Sequence, residues 1–234
     1  MKLAISQPTF LPWSGYFSLI SNVDEFIFLD NVQFNKRSWQ QRNYIISQKK
    51  FELISIPVKS KGLFNQNLRD VEIDYENFNL EKILKKLHFS YKKDKYFEKI
   101  FYDLKNIFEL KHKYLAELNI DIIQYICEFL NIKTNFLKSS SIKTDKKLKK
   151  IELLGHIAKN RNAKEYISTE GSRKYFETLK KFPNTSISIK YFKYGYKNID
   201  INSIDKFPCI LDLLFKEGIN TRRILMDNFI LVDQ

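Results

Sequence analysis

Histidine, cysteine, glycine and proline are all scarce in this chain: three, two, six and five residues out of 234. The two cysteines, Cys127 and Cys209, are far apart and lack metal-site spacing, which excludes a disulfide framework and a zinc ribbon. Cys127 lies in an apolar helical pattern, as a reduced, buried thiol does. His88, His112 and His156 are separated in sequence and form no metal-binding or triad pattern, so structural or surface roles are expected for them. So few prolines and glycines argue against long disordered linkers. No apolar run approaches the roughly 20 residues of a membrane span, and no secretory segment follows Met1-Lys2. A cytoplasmic protein is therefore expected.

What the chain has is aromatic and basic. Hydrophobic residues make up 44%, enough for a full core, with 20 Phe and 13 Tyr among them. Lysine and arginine exceed aspartate and glutamate by 13, mostly as lysine. Such an excess suits polyanionic ligands, but it also suits a solvated lysine surface. The lysines from Lys138 to Lys150 lack interleaved aromatics and read as the latter.

Hydrophobic patterning gives the element order. Leu3–Ser6 reads as a strand, Gly15–Ser21 as a helix and Glu25–Leu29 as a second strand, a compact unit that implies parallel pairing. Trp39–Ile46 is mixed, Phe51–Val58 alternates, and Val71–Tyr75 is a short strand pattern. Leu80–Leu130 is helical, in about three helices. Further strands are expected at Thr134–Lys138, Ala163–Ser168 and Ile187–Tyr194. Further helices are expected at Leu148–Lys159, Arg173–Lys181 and Pro208–Phe215, with Glu217-Gly218 as a stop. The expectation is an α/β fold over residues 1–234. Its sheet is parallel or mostly parallel, of Rossmann-like or nucleotidyltransferase-like type, with a helical block inserted at about 78–131.

Three stretches are candidates for chemistry. The first, Gln7–Phe17 (QPTFLPWSGYF), joins a strand to a helix, where open α/β sheets gather ligands. Pro8 and Pro12 stiffen the loop, Gly15 permits close backbone approach, and Gln7, Trp13 and Tyr16 are positioned to line a site. Trp13-Ser14-Gly15-Tyr16 stands where nucleotidyltransferases and class I synthetases carry His-x-Gly-His, with Trp and Tyr replacing the histidines. The second, Asp30–Asn43, follows the second strand. Asp30 is the candidate catalytic group, Lys36, Arg37 and Arg42 suit phosphates, Trp39 suits ring stacking, and Gln33 and Asn43 suit polar contacts. The third, Tyr166–Tyr175, offers Ser168, Glu170, Gly171 and Tyr175 at a strand-to-helix turn. Neither a P-loop nor a metal-ligand pattern occurs.

These residues resemble the WbqC-like family. The match rests on Gln7-Pro8, Phe10, Pro12-Trp13 and Gly15-Tyr16-Phe17, then on Val32-Gln33-Phe34, Arg42-Asn43 and Ile56-Pro57-Val58. Tyr114-Leu115, Asn119, Ser140 and Leu211–Phe215 are looser landmarks further along. The turn after Ser168 is Thr169-Glu170 instead of a Gly-rich pair, and Pro208-Cys209 precedes Ile210 where a serine is usual. The resemblance implies a glycine transferase associated with surface polysaccharide: N-acyl or aminoacyl transfer to a nucleotide-linked amino sugar. The donor is open, with aminoacyl-tRNA as one form of it, and nucleic acid is not otherwise expected as a partner. Two alternatives stand beside this reading. One is an ATP-dependent, adenylate-forming amide ligase, with ATP as cofactor. The other is a non-catalytic module that binds a sugar nucleotide or a partner.

Overall fold

The computed structural model describes residues 1–145, 147–176, 179–195 and 209–232. Its centre is a six-stranded sheet built from β1 (Lys2–Ser6), β2 (Glu25–Phe28), β5 (Asn135–Lys138), β6 (Glu165–Thr169), β7 (Ser188–Tyr194) and β8 (Phe229–Val232). The strand order across it is β5-β2-β1-β6-β7-β8. All neighbours pair in parallel except β8, which runs antiparallel to β7. The protein is thus a mixed α/β structure with a mostly parallel sheet. A separate antiparallel hairpin joins β3 (Arg42–Ser47) to β4 (Lys50–Ser55).

Both faces of the sheet are covered, which explains strands as apolar as EFIF. Along β1, Leu3 and Ile5 point to one side and Ala4 to the other. The first side also takes Ile27, Tyr166 and Tyr191. It packs on Leu153, Leu154 and Ile157 of α5 (Lys150–Asn160) and on Phe176 of the short α6 (Arg173–Phe176). The second side, with Phe26, Phe28, Ile167 and Phe192, packs into a larger core. That core draws on α1 (Ser14–Ser21), α7 (Leu211–Glu217) and α8 (Thr221–Asp227). It also takes in the three helices α2 (Leu80–Tyr91), α3 (Phe97–Glu109) and α4 (Leu115–Phe129). Each fully buried Phe or Leu in these layers contributes about 1.5–3 kcal/mol relative to exposure. Glu25, buried at the start of β2, is held by a two-pronged ion pair from Arg161 Nε and Nη2 (2.8 and 2.9 Å) at the end of α5.

Several sequence expectations need correction. Val71–Tyr75 forms no strand: it makes single bridges, Glu72 to Tyr114 and Ile73 to Val58. Its amides go to two different segments, Ile73 to the Lys113 carbonyl and Asp74 to that of Pro57, so no ladder extends. The strand expected over Phe51–Val58 stops at Ser55, two residues before Pro57, which has no N–H for a ladder. Leu179–Lys181 is not helical. Glu177, Thr178 and Pro208 lie outside the described residues, so those parts of the expected helices are not described. Helix α8 and strand β8 were not expected at all. Gly218 (φ 55°) ends α7 as expected, but the chain then makes a short 3-10 turn and re-enters a helix.

The two cysteines are free and buried. Burial pushes the Cys209 thiol up to about 12 and the Cys127 thiol upward as well. A raised acid pKa in the folded state favours folding fully below the unfolded thiol value of about 8.5. That contribution is lost as pH rises from there towards 12. Denaturation midpoints should therefore fall between pH 8 and pH 10. An Ellman-type reagent should find no reactive thiol in the native protein at pH 8 and both thiols after unfolding. A native thiol reacting at the rate of free cysteine would contradict this burial.

Candidate functional site

The site begins where β1 and β6 part. They are in register only at Lys2–Glu165 and Leu3–Tyr166, although β1 continues to Ser6 and β6 to Thr169. On its other side β1 stays paired with β2 through Ser6–Phe28, and β6 stays paired with β7 through Thr169–Phe192. The sheet therefore splits at its carboxyl edge between β1 and β6. This is also where the chain reverses direction: β2 and β5 are added on one side of β1, then β6, β7 and β8 on the other. Ser6 and Gln7 stand on one lip, Ser168, Thr169 and Glu170 on the other.

The loop after β1 is held from three directions. Gln7 Oε1 accepts from Gln40 Nε2 (2.8 Å). The Phe10 amide donates to the Trp39 carbonyl (2.9 Å), and Asn43 Nδ2 donates to the carbonyls of Phe10 and Leu11 (3.3 and 2.7 Å). From α4, Asn119 Nδ2 donates to the Pro8 and Gln40 carbonyls (3.0 and 2.8 Å). Gln40, Asn43 and Asn119 are all buried. The first and second candidate stretches thus meet and interlock. Tyr16 adds a fourth tie, its hydroxyl donating to the Gln7 carbonyl (3.1 Å). Burial holds that phenol well above its ordinary pKa, so it remains a neutral donor.

Gly15 has a different use from the one its position suggests. A Cβ there would lie 2.0 Å from Cη2 and 2.2 Å from Cζ3 of Trp13. The Trp13 indole folds back over the start of α1 and fills the space, and it meets Tyr194 edge-on at 5.7 Å. The missing side chain makes room for the protein's own ring.

Asp30 sits at the end of β2 and is buried. Its Oδ1 accepts from Ser139 Oγ and from the Ser140 amide, both at 2.9 Å. Its Oδ2 accepts from Ser140 Oγ at 2.6 Å. The serines lie in the turn just after β5, so the carboxylate ties together the ends of two adjacent parallel strands. Two acceptor positions per oxygen leave one on Oδ2 uncommitted. The Asn31 side chain joins the cluster through Ser139 Oγ (2.7 Å).

The other expected residues are dispersed. Lys36 donates to the Ser60 carbonyl (2.5 Å) and lies over the Phe64 ring, and Gln33 Nε2 donates to the Phe64 carbonyl (3.4 Å). Arg37, Trp39 and Arg42 lie on the hairpin and its approach, at the surface or partly exposed. On the β6 lip, Ser172 Oγ donates to the Thr169 carbonyl and so takes its hydrogen bond from Ser168 Oγ, both at 2.6 Å. Gly171 has open space where a Cβ would be, and Tyr175 is exposed. Reading the sequence for chemistry missed Gln40 and the partners of Asp30. Asn119 and Ser140 appeared only as family landmarks. The available signal was a polar residue in an apolar helical stripe, LAELNIDII, where an unsatisfied amide would be costly.

Comparison with known proteins comes out consistently. The model of the WbqC-like protein family matches residues 7–224. An uncharacterized protein of Mycobacterium tuberculosis, Rv1507c, is 34% identical over 221 residues, covering 93% of this chain and 94% of that one. No solved structure gives a significant match. The chain belongs to the WbqC-like protein family. Among the described residues, no helix is long and apolar enough to cross a membrane.

The packing of Gly15 generates a test. Gly15→Ala should lower stability by about 1–3 kcal/mol, the usual cost of overpacking. In a Trp13→Ala background the same change should be neutral or slightly stabilising, because alanine is the better helix former. Thermal or urea unfolding of the four variants measures the difference. An equal loss in both backgrounds would show that the glycine serves something other than the indole.

Proposed function

We propose that this protein transfers an acyl or aminoacyl group, glycyl first among them, to the amino group of a nucleotide-linked sugar. The observation that carries this reading is the split of the sheet between β1 and β6 at its carboxyl edge. In strand order of appearance the sheet runs third, second, first, fourth, fifth, with an antiparallel sixth. This order supports a Rossmann-like reading, in which a nucleotide would lie at the carboxyl edge where the strand order reverses. The family resemblance supplies the transfer chemistry.

In this reading the nucleotide part occupies the crevice between Gln7 and the Ser168–Gly171 turn. The sugar reaches towards Asp30. The amine nitrogen attacks the donor carbonyl carbon, a C–N bond forms, and the bond from that carbon to the ester or thioester leaving group breaks. The amine must lose a proton, which passes to the uncommitted position on Asp30 Oδ2, directly or through the Ser140 hydroxyl, and then to the leaving group. Gln7 and the Tyr16-braced loop form one wall, prearranged by the bonds from Gln40 and Asn119, so little ordering entropy is lost on binding.

Two measurements test the proposal. Nucleotide-linked amino sugars should raise the melting temperature, as any ligand of the folded state does. Asp30→Asn should lower kcat about 10²–10⁴-fold, the range of a lost proton acceptor, while KM changes little. Product formation is followed by mass spectrometry with a panel of acyl and aminoacyl donors. Unchanged kcat in Asp30→Asn would remove Asp30 from the chemistry. Stabilisation by ATP alone, with release of AMP, would replace transfer by adenylation.

A further inference from the structure

The loop that follows the β3–β4 hairpin returns to the end of β2 and carries an apolar tip. Its far end is bonded to the segment just after that strand. The Phe34 amide donates to the Gln66 carbonyl (2.8 Å), the Leu68 amide to the Val32 carbonyl (2.8 Å) and the Arg69 amide to the Asp30 carbonyl (2.9 Å). Its near end is tied by the Lys59 amide, which donates to the Glu72 carbonyl (2.9 Å). Between these anchors the chain turns at Gly62, in the left-handed region (φ 76°) and with open space where a Cβ would lie. Leu63 and Phe64 form the tip. Phe64 is 78% exposed, the most of any large apolar side chain among the described residues, and Leu63 is 47% exposed. The tip is held in this position by the segment after β2. Gln33 Nε2 donates to the Phe64 carbonyl (3.4 Å), and Lys36 Nζ donates to the Ser60 carbonyl and lies 5.6 Å from the Phe64 ring centre.

Charge around the tip is of one sign. No acidic residue occurs from Leu53 to Arg69. Lys36 and Lys61 are exposed and make no ion pair among the described residues. The wider stretch from Asn31 to Arg69 has eight lysines and arginines against one acid, Glu52, which pairs with Lys86 of α2 (2.7 Å). A single exposed apolar residue is ordinary. Two adjacent ones on a braced loop, with ammonium groups beside them, are the pattern of a segment that enters a headgroup layer. The apolar chains go below the surface, and the lysine heads stay at it.

We propose that the Lys59–Asn67 loop docks this protein on an anionic lipid surface. Leu63 and Phe64 insert among the headgroups, and Lys36 and Lys61 meet the lipid phosphates. Two large apolar side chains bury too little for a specific protein interface. A fluid bilayer admits so small an insertion and spreads its negative charge over a wide area. The excess of 13 positive charges adds long-range attraction to such a surface. Because the loop is bonded to the backbone of Asp30, docking brings the end of β2 to the membrane. The inference goes beyond the transfer reading and does not depend on it.

Co-sedimentation with vesicles tests the proposal. The full chain should bind vesicles of equal parts phosphatidylcholine and phosphatidylglycerol, and bind pure phosphatidylcholine far more weakly. Phe64→Ala should weaken binding about tenfold through the lost apolar burial. Lys61→Gln should weaken it about fivefold at low salt, and high salt should erase that difference. In Phe64→Trp, the added emission should shift to the blue on binding and be quenched by brominated lipid. Melting temperatures near wild type would show that these surface variants fold. Absent binding, equal binding to the two kinds of vesicle, or binding unchanged in Phe64→Ala would overturn the proposal; the last is adsorption by charge alone. If vesicles fail while a nucleotide-linked amino sugar still raises the melting temperature, the docking loop falls and the transfer reading stands. If vesicles bind as expected and the sugar does not, the docking loop stands and the transfer reading falls.

Discussion

One buried amide organises the carboxyl edge of the sheet. Asn119, on a helix otherwise committed to the apolar core, donates to the carbonyls of Pro8 and Gln40 at once. Leaving those carbonyls and the amide unpaired in the interior would cost about 1–3 kcal/mol for each group. The bonds therefore fix two segments with no regular structure of their own. From Gln40 the constraint passes to Gln7 and to the Asn35–Gln41 turn, and from there to the exposed Trp39. The loop after β1 and the approach to the hairpin behave as one unit, although more than twenty residues separate them in sequence.

That unit stands beside the split in the sheet. The pairing of two neighbouring parallel strands ends early there, which leaves Gln7 at the end of one and the Ser168–Ser172 turn at the end of the other. The adjacent strand ends of β2 and β5 are closed by Asp30 and two serines. A braced loop, a gap in strand pairing and a carboxylate at the neighbouring strand ends thus lie along one edge.

The sequence carries the sheet more clearly than the site. EFIF and EYIST are apolar enough to announce strands buried on both faces, and the β1–α1–β2 unit is plain from Leu3 to Phe28. The hairpin was not legible, because its two-residue turn is Gln48-Lys49. Both residues have positive φ (48° and 61°) without the Asn-Gly or Asp-Gly that usually marks such a turn. Gly15 was visible but misleading, since only the folded structure shows Trp13 lying across it. Asp30 was singled out as a lone carboxylate, whereas its partners Ser139 and Ser140 lie more than a hundred residues further on. Local pattern cannot bring such residues together; the topology of the sheet does.

Native-state hydrogen exchange at the Phe10 amide tests the central claim most directly. This amide donates to the Trp39 carbonyl within the loop that Asn119 holds. It should exchange slowly in the wild-type protein, more like the amides of β1 than those of an exposed loop. Asn119→Ala should accelerate it about 5- to 150-fold, equivalent to about 1–3 kcal/mol, while the Ile27 amide in β2 changes far less. A fast-exchanging Phe10 amide in the wild type, or one indifferent to the loss of Asn119, would show that the loop after β1 is held by something else.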